Sequence, residues 1–119
     1  KIHPGITPEV VGDVLCGSST RAVILETYGS GNAPSKPWFI DTVRKAAEEK
    51  IVVNITQCVS GMVDMSIYAN GKVLQEAGVI SGKDMTTESA LAKLFFLMGN
   101  HNDNKEVKRE MAENLRGEM

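Results

Sequence analysis

Excess positive charge and long apolar runs are both missing from this sequence. Its 119 residues carry a formal net charge of −2, and the lysines and arginines are scattered apart from a mild cluster at 105–110. A nucleic-acid or anionic-membrane partner requires a concentrated positive field, so this charge argues against both. No apolar run approaches the roughly 20 residues of a membrane-spanning helix. With no signal peptide recognisable either, we expect no nucleic-acid partner, no membrane partner and a cytoplasmic location.

Cysteine and histidine are scarce, with two residues of each. Cys16 and Cys58 lack the spacing of metal ligands and are too few for a disulfide framework, which predicts reduced intracellular thiols. A nucleophilic Cys58 would need a base such as histidine within reach. His3 stands in a turn, and His101 stands in a polar segment between predicted helices. A packed free thiol is therefore the favoured interpretation of Cys58.

What the sequence does contain is typical of one soluble globular domain. It has a mass of 12.9 kDa, with 42% apolar and 24% charged residues, which suffices for a core. The chain opens without an initiator methionine, and Ile2 runs directly into a His-Pro-Gly turn, as the last residue of a strand would. We therefore expect an excised domain, with part of the chemistry carried by residues outside it.

Strands and helices alternate along the chain. Continuously apolar segments predict three strands, at Ala22–Leu25, Ile51–Thr56 and Gly78–Gly82. Apolar residues at helical spacing predict five helices, at Thr7–Leu15, Lys36–Lys50, Tyr68–Ala77, Thr86–Met98 and Lys105–Arg116. This alternation predicts the α/β class: a small, mostly parallel sheet flanked by helices on both faces, a three-layer sandwich of the Rossmann or flavodoxin type.

Several helix details follow from local sequence. Thr7, Ser35 and Thr86 are the expected N-caps, and Asp103 with Glu106 resembles a capping box. We expect the third helix to be interrupted around Asn70–Gly71. The apolar stripe predicted for the fourth helix comprises Leu91, Leu94, Phe95 and Met98.

Two polar segments directly follow predicted strands, and both should lie at the carboxyl edge of the sheet, where ligands bind. In the first, Tyr28 to Pro34, Gly29 and Gly31 free the backbone, and Asn32 offers an acceptor and two donors. A tight connection with Asn32 bonded to its own backbone is an equally open interpretation. The second segment, Thr56 to Gly61, carries a hydroxyl, an amide, the thiol of Cys58 and another hydroxyl, followed by glycine.

Several blocks of the sequence, in order and spanning essentially the whole chain, resemble the C-terminal domain of bacterial type I (cytoplasmic) L-asparaginases. They are ILETYGSGNAP (24–34), VVNITQCVSG (52–61), YANGKVLQEAGVISGKDMTTESALAKL (68–94) and NLRGE (114–118). The resemblance implies that residues 1–119 form that C-terminal domain and that a catalytic N-terminal domain is missing. It further implies hydrolysis of L-asparagine to L-aspartate and ammonia by threonine nucleophiles of that missing domain, without metal or cofactor, so this fragment alone should be inactive.

The resemblance also implies roles for residues of this chain. Asn32 should reach the active site of a neighbouring subunit in a homodimer or homotetramer, and Cys58 should contribute to an allosteric site for L-asparagine. Glu26 departs from the pattern, because an arginine that helps hold the effector stands there in the allosteric enzyme; we expect the effector site to be lost or altered. The residues predicted to bind substrate or effector are Glu26, Tyr28, Gly29, Gly31, Asn32, Thr56 and Cys58.

Two alternatives stay open. The asparaginase-like subunit of the amidotransferase that makes glutaminyl-tRNA shares this architecture, although the acidic charge is less suited to a tRNA partner. A free-standing, non-catalytic domain that binds a small ligand is the other. A preceding domain with threonine motifs would exclude the latter.

Overall fold

The computed structural model describes residues 1–17 and 19–119 and consists of one small sheet with helices on both faces. The strands are β1 Ala22–Thr27, β2 Ile51–Thr56 and β3 Ile80–Ser81. The helices are α1 Pro8–Cys16, α2 Pro37–Glu49, α3 Ala69–Glu76, α4 Thr87–Asn100 and α5 Asn104–Met111. Within these described ranges, no helix is both long enough and apolar enough to cross a membrane.

The sheet is parallel, with β2 between β1 and β3. β1 and β2 pair over their whole length, from Ala22 opposite Ile51 to Thr27 opposite Thr56. β3 adds only two residues, with Ser81 opposite Asn54. The predicted third strand is therefore shorter than expected, whereas the predicted bounds of β2 are confirmed.

Two apolar cores lie on opposite faces of the sheet. On one face, β1 and β2 side chains pack against α1, α2 and α3, which contribute Val11, Leu15, Phe39, Val43 and Leu74. On the other face, alternate β2 side chains pack against α4 and α5, and this core contains Ile51, Val53, Ile55, Leu97 and Met111. Burial on both faces explains why the strands are continuously apolar. The predicted three-layer α/β architecture is confirmed.

Two of the three predicted N-caps are confirmed and the third is wrong. Thr7 accepts a hydrogen bond from Val10 N, and Thr86 accepts one from Ser89 N at 3.1 Å. The predicted cap at Ser35 is wrong, because Lys36 occupies the N-cap position of α2 and makes no side-chain cap. The proline that follows Lys36 holds it in the extended conformation that an N-cap adopts.

The predicted break at Asn70–Gly71 is also wrong, because α3 runs through both residues. Gly71 is buried against the backbone of Met65, and a Cβ added there would lie 2.5 Å from Met65 O. This glycine therefore permits a close approach and does not interrupt the helix. The last helix ends at Met111 rather than Arg116.

The predicted apolar stripe of α4 has the wrong phase. Leu94 is buried, but Leu91 is 42% exposed and Phe95 is 69% exposed, while Lys93 is only 6% exposed. Lys93 Nζ lies 2.6 Å from Glu118 Oε1 and also donates to Glu113 O. The tail after α5 therefore folds back on α4 and buries Lys93. The spacing of the apolar residues alone predicts that this side of α4 is exposed to solvent.

The ion pair between Lys93 and Glu118 should stabilise this tail in a pH-dependent way. Burial by itself raises the pKa of Glu118, but hydrogen bonds from Lys93 and from the N–H groups of Leu115 and Arg116 outweigh it and lower the pKa from 4.5 to about 2. A depressed carboxyl pKa stabilises the fold above about pH 4.5, and this contribution is lost as the pH falls toward 2.

We therefore expect Glu118→Gln to lower the free energy of unfolding at pH 7 by about 1–3 kcal/mol, because it weakens a charged hydrogen bond to a buried ammonium. Urea unfolding at pH 7 and at pH 3 measures the difference from wild type, which should narrow at pH 3. Glu106→Gln is the control, because the ion pair of Glu106 with Arg109 is exposed and should matter little. Equal losses in both variants would contradict the assignment.

Candidate functional site

The segments that follow β1 and β2 leave the sheet side by side, as parallel pairing requires. Gln57 N donates to Thr27 O at 2.9 Å, which continues the ladder one step beyond the strands. Gln57 Nε2 also donates to Ile2 O at 2.6 Å and to Glu26 O at 2.9 Å. The Gln57 side chain therefore connects the N-terminal segment to the ends of β1 and β2 at one edge of the sheet.

The first segment closes into a tight turn, here called the Asn32 loop (28–32). Tyr28 N donates to Asn32 O at 2.9 Å, and Asn32 N donates back to Tyr28 O at 2.8 Å. Gly31 has φ +104° and is buried, and a Cβ added there would lie 2.8 Å from Val63 Cγ1. Gly29 also has a positive φ, of +47°, but faces open space. The two glycines therefore differ in role, since only Gly31 is confined by its neighbours.

The two ends of the Asn32 side-chain amide differ in their hydrogen bonding. Its Oδ1 accepts from Ala33 N at 3.0 Å, as expected for a residue bonded to its own backbone. Its Nδ2 donates to no group among residues 1–17 and 19–119. One interaction therefore orients the amide, and the other end is left to donate to a ligand.

Tyr28 and Glu26 direct their side chains to opposite faces of the sheet. Tyr28 packs against the core on the α1 and α2 face and, with His3, Lys36 and Trp38, lines a cavity of about 250 Å³. Glu26 lies on the α4 face, where Oε1 accepts a 2.6 Å hydrogen bond from the hydroxyl of Thr87, the first residue of α4. The structure does not bring these two side chains into one pocket.

Thr56 and Cys58 lie at the end of β2. The Thr56 hydroxyl accepts from Cys58 N at 3.0 Å. Cys58 is a free and exposed cysteine, so the interpretation as a packed thiol is wrong. The physical reason is that the segment after β2 turns outward from the sheet into solvent. The hydrogen bonds of the two histidines go to other residues: His3 Nδ1 contacts Pro4 O, and His101 pairs with Glu110 at 3.3 Å.

Four residues that line this edge are missing from the predicted set, and two of them, Thr27 and Asn54, lie inside strands. Asn54 is fully buried within the apolar run IVVNIT, and a polar residue at such a position is a sequence feature that could have marked it. The others are Thr27, Gln57 and Asp64. Asp64 N donates to Ser30 O at 2.9 Å. Hydrogen bonds from the side chain and backbone of Ser66 lower the pKa of the Asp64 carboxyl, so the charge persists at neutral pH.

This arrangement equips the edge for binding. Amide and hydroxyl groups are held by backbone hydrogen bonds, and within the described part of the chain neither Thr56 nor Cys58 is hydrogen-bonded to a histidine. The same residues contain no group of three His, Cys, Asp or Glu side chains that could hold a metal ion. Orientation of a polar ligand is the chemistry that these groups can supply.

Comparisons with known proteins find a family model, curated relatives and solved structures that match this chain. A family model described as the glutaminase/asparaginase C-terminal domain matches residues 1–111. L-asparaginase 1 of Escherichia coli (strain K12) is 44% identical over 119 residues, which cover 99% of this chain and 35% of that protein. The crystal structure of L-asparaginase I from Vibrio cholerae matches with a TM-score of 0.91 and 48% identity, over 99% of this chain and 36% of that one.

A further relative carries a different name. A glutamyl-tRNA(Gln) amidotransferase subunit of Metallosphaera sedula is 40% identical over 119 residues, which cover 99% of this chain and 26% of that protein. The chain thus spans about a third of the L-asparaginases and about a quarter of the amidotransferase protein.

The confinement of Gly31 gives a testable expectation. Gly31→Ala should lower the free energy of unfolding by about 2–3 kcal/mol, because the new Cβ collides with Val63 and the backbone stays strained. Gly29→Ala is the matched control and should cost only about 1 kcal/mol, since it meets open space in a left-handed conformation. Chemical unfolding of both variants measures this. A larger loss for Gly29→Ala would contradict the described loop.

Proposed function

The chain belongs to the glutaminase/asparaginase C-terminal domain family, and on that premise we propose that it is the ligand-orienting half of a cytoplasmic L-asparaginase. The full-length protein hydrolyses L-asparagine to L-aspartate and ammonia. Threonine nucleophiles in an N-terminal domain carry out the reaction, and this domain completes the active site of a neighbouring subunit in a homo-oligomer. The similarity to two L-asparaginases, at 44% and 48% identity, supports this substrate.

The observation that carries the proposal is the form of the Asn32 loop. Asn32 is held by two backbone bonds to Tyr28, and its Oδ1 is fixed by Ala33 N, so the amide direction is set before any ligand arrives. Its Nδ2 is left to donate to an acceptor such as a substrate carboxylate. A preorganised donor on a rigid turn loses little conformational entropy on binding, which suits a residue that reaches across a subunit interface.

The described residues also support the division of labour between two domains. Of the nucleophilic groups at this edge, the Thr56 hydroxyl accepts from Cys58 N, and among the described residues neither Thr56 nor Cys58 is hydrogen-bonded to a histidine. A threonine needs a neighbouring general base to attack an amide. The catalytic base and nucleophile are therefore assigned to the N-terminal domain, and this domain alone is assigned no activity.

A second candidate is an amidotransferase that acts on glutamyl-tRNA, favoured by the 40% identity to the Metallosphaera sedula protein. The net charge of −2 favours the asparaginase, because a tRNA partner requires basic surface. Ammonia release from free L-asparagine, compared with amidation of glutamyl-tRNA, separates the two. A non-catalytic binding domain would show neither activity in the full-length protein.

Asn32→Ala in the full-length protein should lower kcat/KM for L-asparagine by about tenfold to a hundredfold, because one hydrogen bond to a charged substrate group is lost. Ammonia release measures the rate, and size-exclusion chromatography should show an unchanged oligomer. Asn102→Ala is the control, because Asn102 is an exposed asparagine remote from this loop, between α4 and α5. Unchanged kinetics for Asn32→Ala would remove the proposed role of this residue.

The effector site has a separate expectation. The carboxylate of Glu26 would repel the carboxylate of L-asparagine, and Thr87 already donates to Glu26 Oε1. We therefore propose that an effector site of the allosteric type is absent or altered, and we expect initial rate to depend hyperbolically on L-asparagine concentration. A sigmoidal curve from the full-length protein would instead favour an effector site that accommodates Glu26. The isolated domain serves as the control and should release no ammonia.

A further inference from the structure

Asn54 is a polar residue in the middle of the most buried strand. It is 0% exposed, and its neighbours Val53 and Ile55 are fully buried apolar residues. Its partner across the ladder on one side is Leu25. A buried amide is costly unless both of its ends find hydrogen-bond partners.

Only one end of the Asn54 amide is satisfied. The hydroxyl of Thr27, itself 0% exposed, donates to Asn54 Oδ1 at 2.6 Å. Asn54 Nδ2 has no hydrogen-bond partner among the residues that the structure describes. Instead it lies beneath Gly31, where an added Cβ would be 3.3 Å from this nitrogen. Whichever way the amide is turned, one end meets Thr27 and the other meets the Asn32 loop.

The surroundings indicate what this amide does. Thr27 and Asn54 lie on neighbouring strands and support the last residues before the two loops diverge. Gly31 packs against Asn54 and Val63. In the same loop, Ser30 O accepts a 2.9 Å hydrogen bond from Asp64 N. Asn54 therefore contacts the Asn32 loop from within the sheet, and the 63–64 segment contacts the loop from the side.

We infer that Asn54 is a positioning residue for the Asn32 loop, an inference that rests on the proposed function of Asn32. Asn54 touches no substrate. Its planar amide, hydrogen-bonded to Thr27, sets the position of Gly31 relative to the sheet. The position of Gly31 in turn sets the direction of the Asn32 amide. A smaller side chain at position 54 removes the contact beneath Gly31, and a larger apolar side chain there displaces Gly31.

The test uses the full-length protein with Asn54→Ala, which removes the amide, and Asn54→Leu, which replaces it with a larger apolar side chain. Val53→Ala is the matched control, because Val53 is equally buried in the same strand but packs in the core on the α4 and α5 face. Each substitution is also combined with Asn32→Ala. Kinetics with L-asparagine are measured for all of them, and amide exchange at Asn32 N–H, which is bonded to Tyr28 O, is measured for the variants that keep Asn32.

We expect either Asn54 variant to lower kcat/KM by about tenfold or more, since a small displacement of a positioning group is costly, and to raise KM in the same direction as Asn32→Ala. A loss of folded protein alone would lower kcat and leave KM as it is. In the Asn32→Ala background the Asn54 substitution should have no further effect, because residues that act through one another are not additive. Amide exchange at Asn32 should speed up about tenfold in the Asn54 variants and not in Val53→Ala.

The opposite results overturn the inference. An equal fold-loss in both backgrounds, or unchanged exchange at Asn32 in whichever Asn54 variant folds, means that Asn54 does not position the loop. Failure of the proposed function is a different result, in which Asn32→Ala itself leaves the rate unchanged. In that case the exchange measurement decides the role of Asn54 on its own.

Discussion

The full-length parallel pairing of β1 with β2 is the constraint on which the rest of the molecule depends. Because the two strands run in register from Ala22 and Ile51 to Thr27 and Thr56, both end at the same height. Their following segments must then emerge together, and helices must return the chain across both faces. Burial of both faces fixes the apolar content of the strands, and the shared end fixes where a ligand can meet polar groups.

At the opposite edge of the sheet, lysine and arginine side chains donate hydrogen bonds to carbonyl groups in or just after the last turns of helices. Lys50 donates to Gly17 O beyond the end of α1, Lys108 donates to Ala47 O in the last turn of α2, and Arg21 donates to His101 O after α4 at 2.8 Å. In a parallel α/β layer these helices end at the amino edge, where their last carbonyls lack helical partners. Burial lowers the pKa of Lys108, yet its ammonium satisfies one such carbonyl. These hydrogen bonds hold the helix ends to one another and to the sheet at the amino edge, and the polar loops lie at the carboxyl edge.

Sequence alone predicted the layers and the loops, and it failed where tertiary contacts override a local pattern. Continuous apolar runs and capping threonines gave β2, α1 and the start of α4 within a residue or two. The phase of α4 was wrong because the burial of Lys93 depends on Glu118, a partner 25 positions away that periodicity does not contain. The glycine-bracketed Asn32 loop was predictable from local chemistry. Its support by Asn54 was not, since a contact between β2 and this loop exists only once the strands have paired.

The chemistry of the carboxyl edge argues for orientation rather than proton transfer. Several of its groups are amides and hydroxyls that are already bonded to backbone, such as Asn32 to Ala33 N and Thr56 to Cys58 N. Groups of this kind direct hydrogen bonds without changing protonation state at neutral pH. Under the proposed function a nucleophile and a base are also needed, and the proposal assigns both to another domain. If Asn32 has the proposed role, rigidity at this edge matters, because a displacement of the Asn32 amide would misalign its hydrogen bond to a substrate that other residues hold.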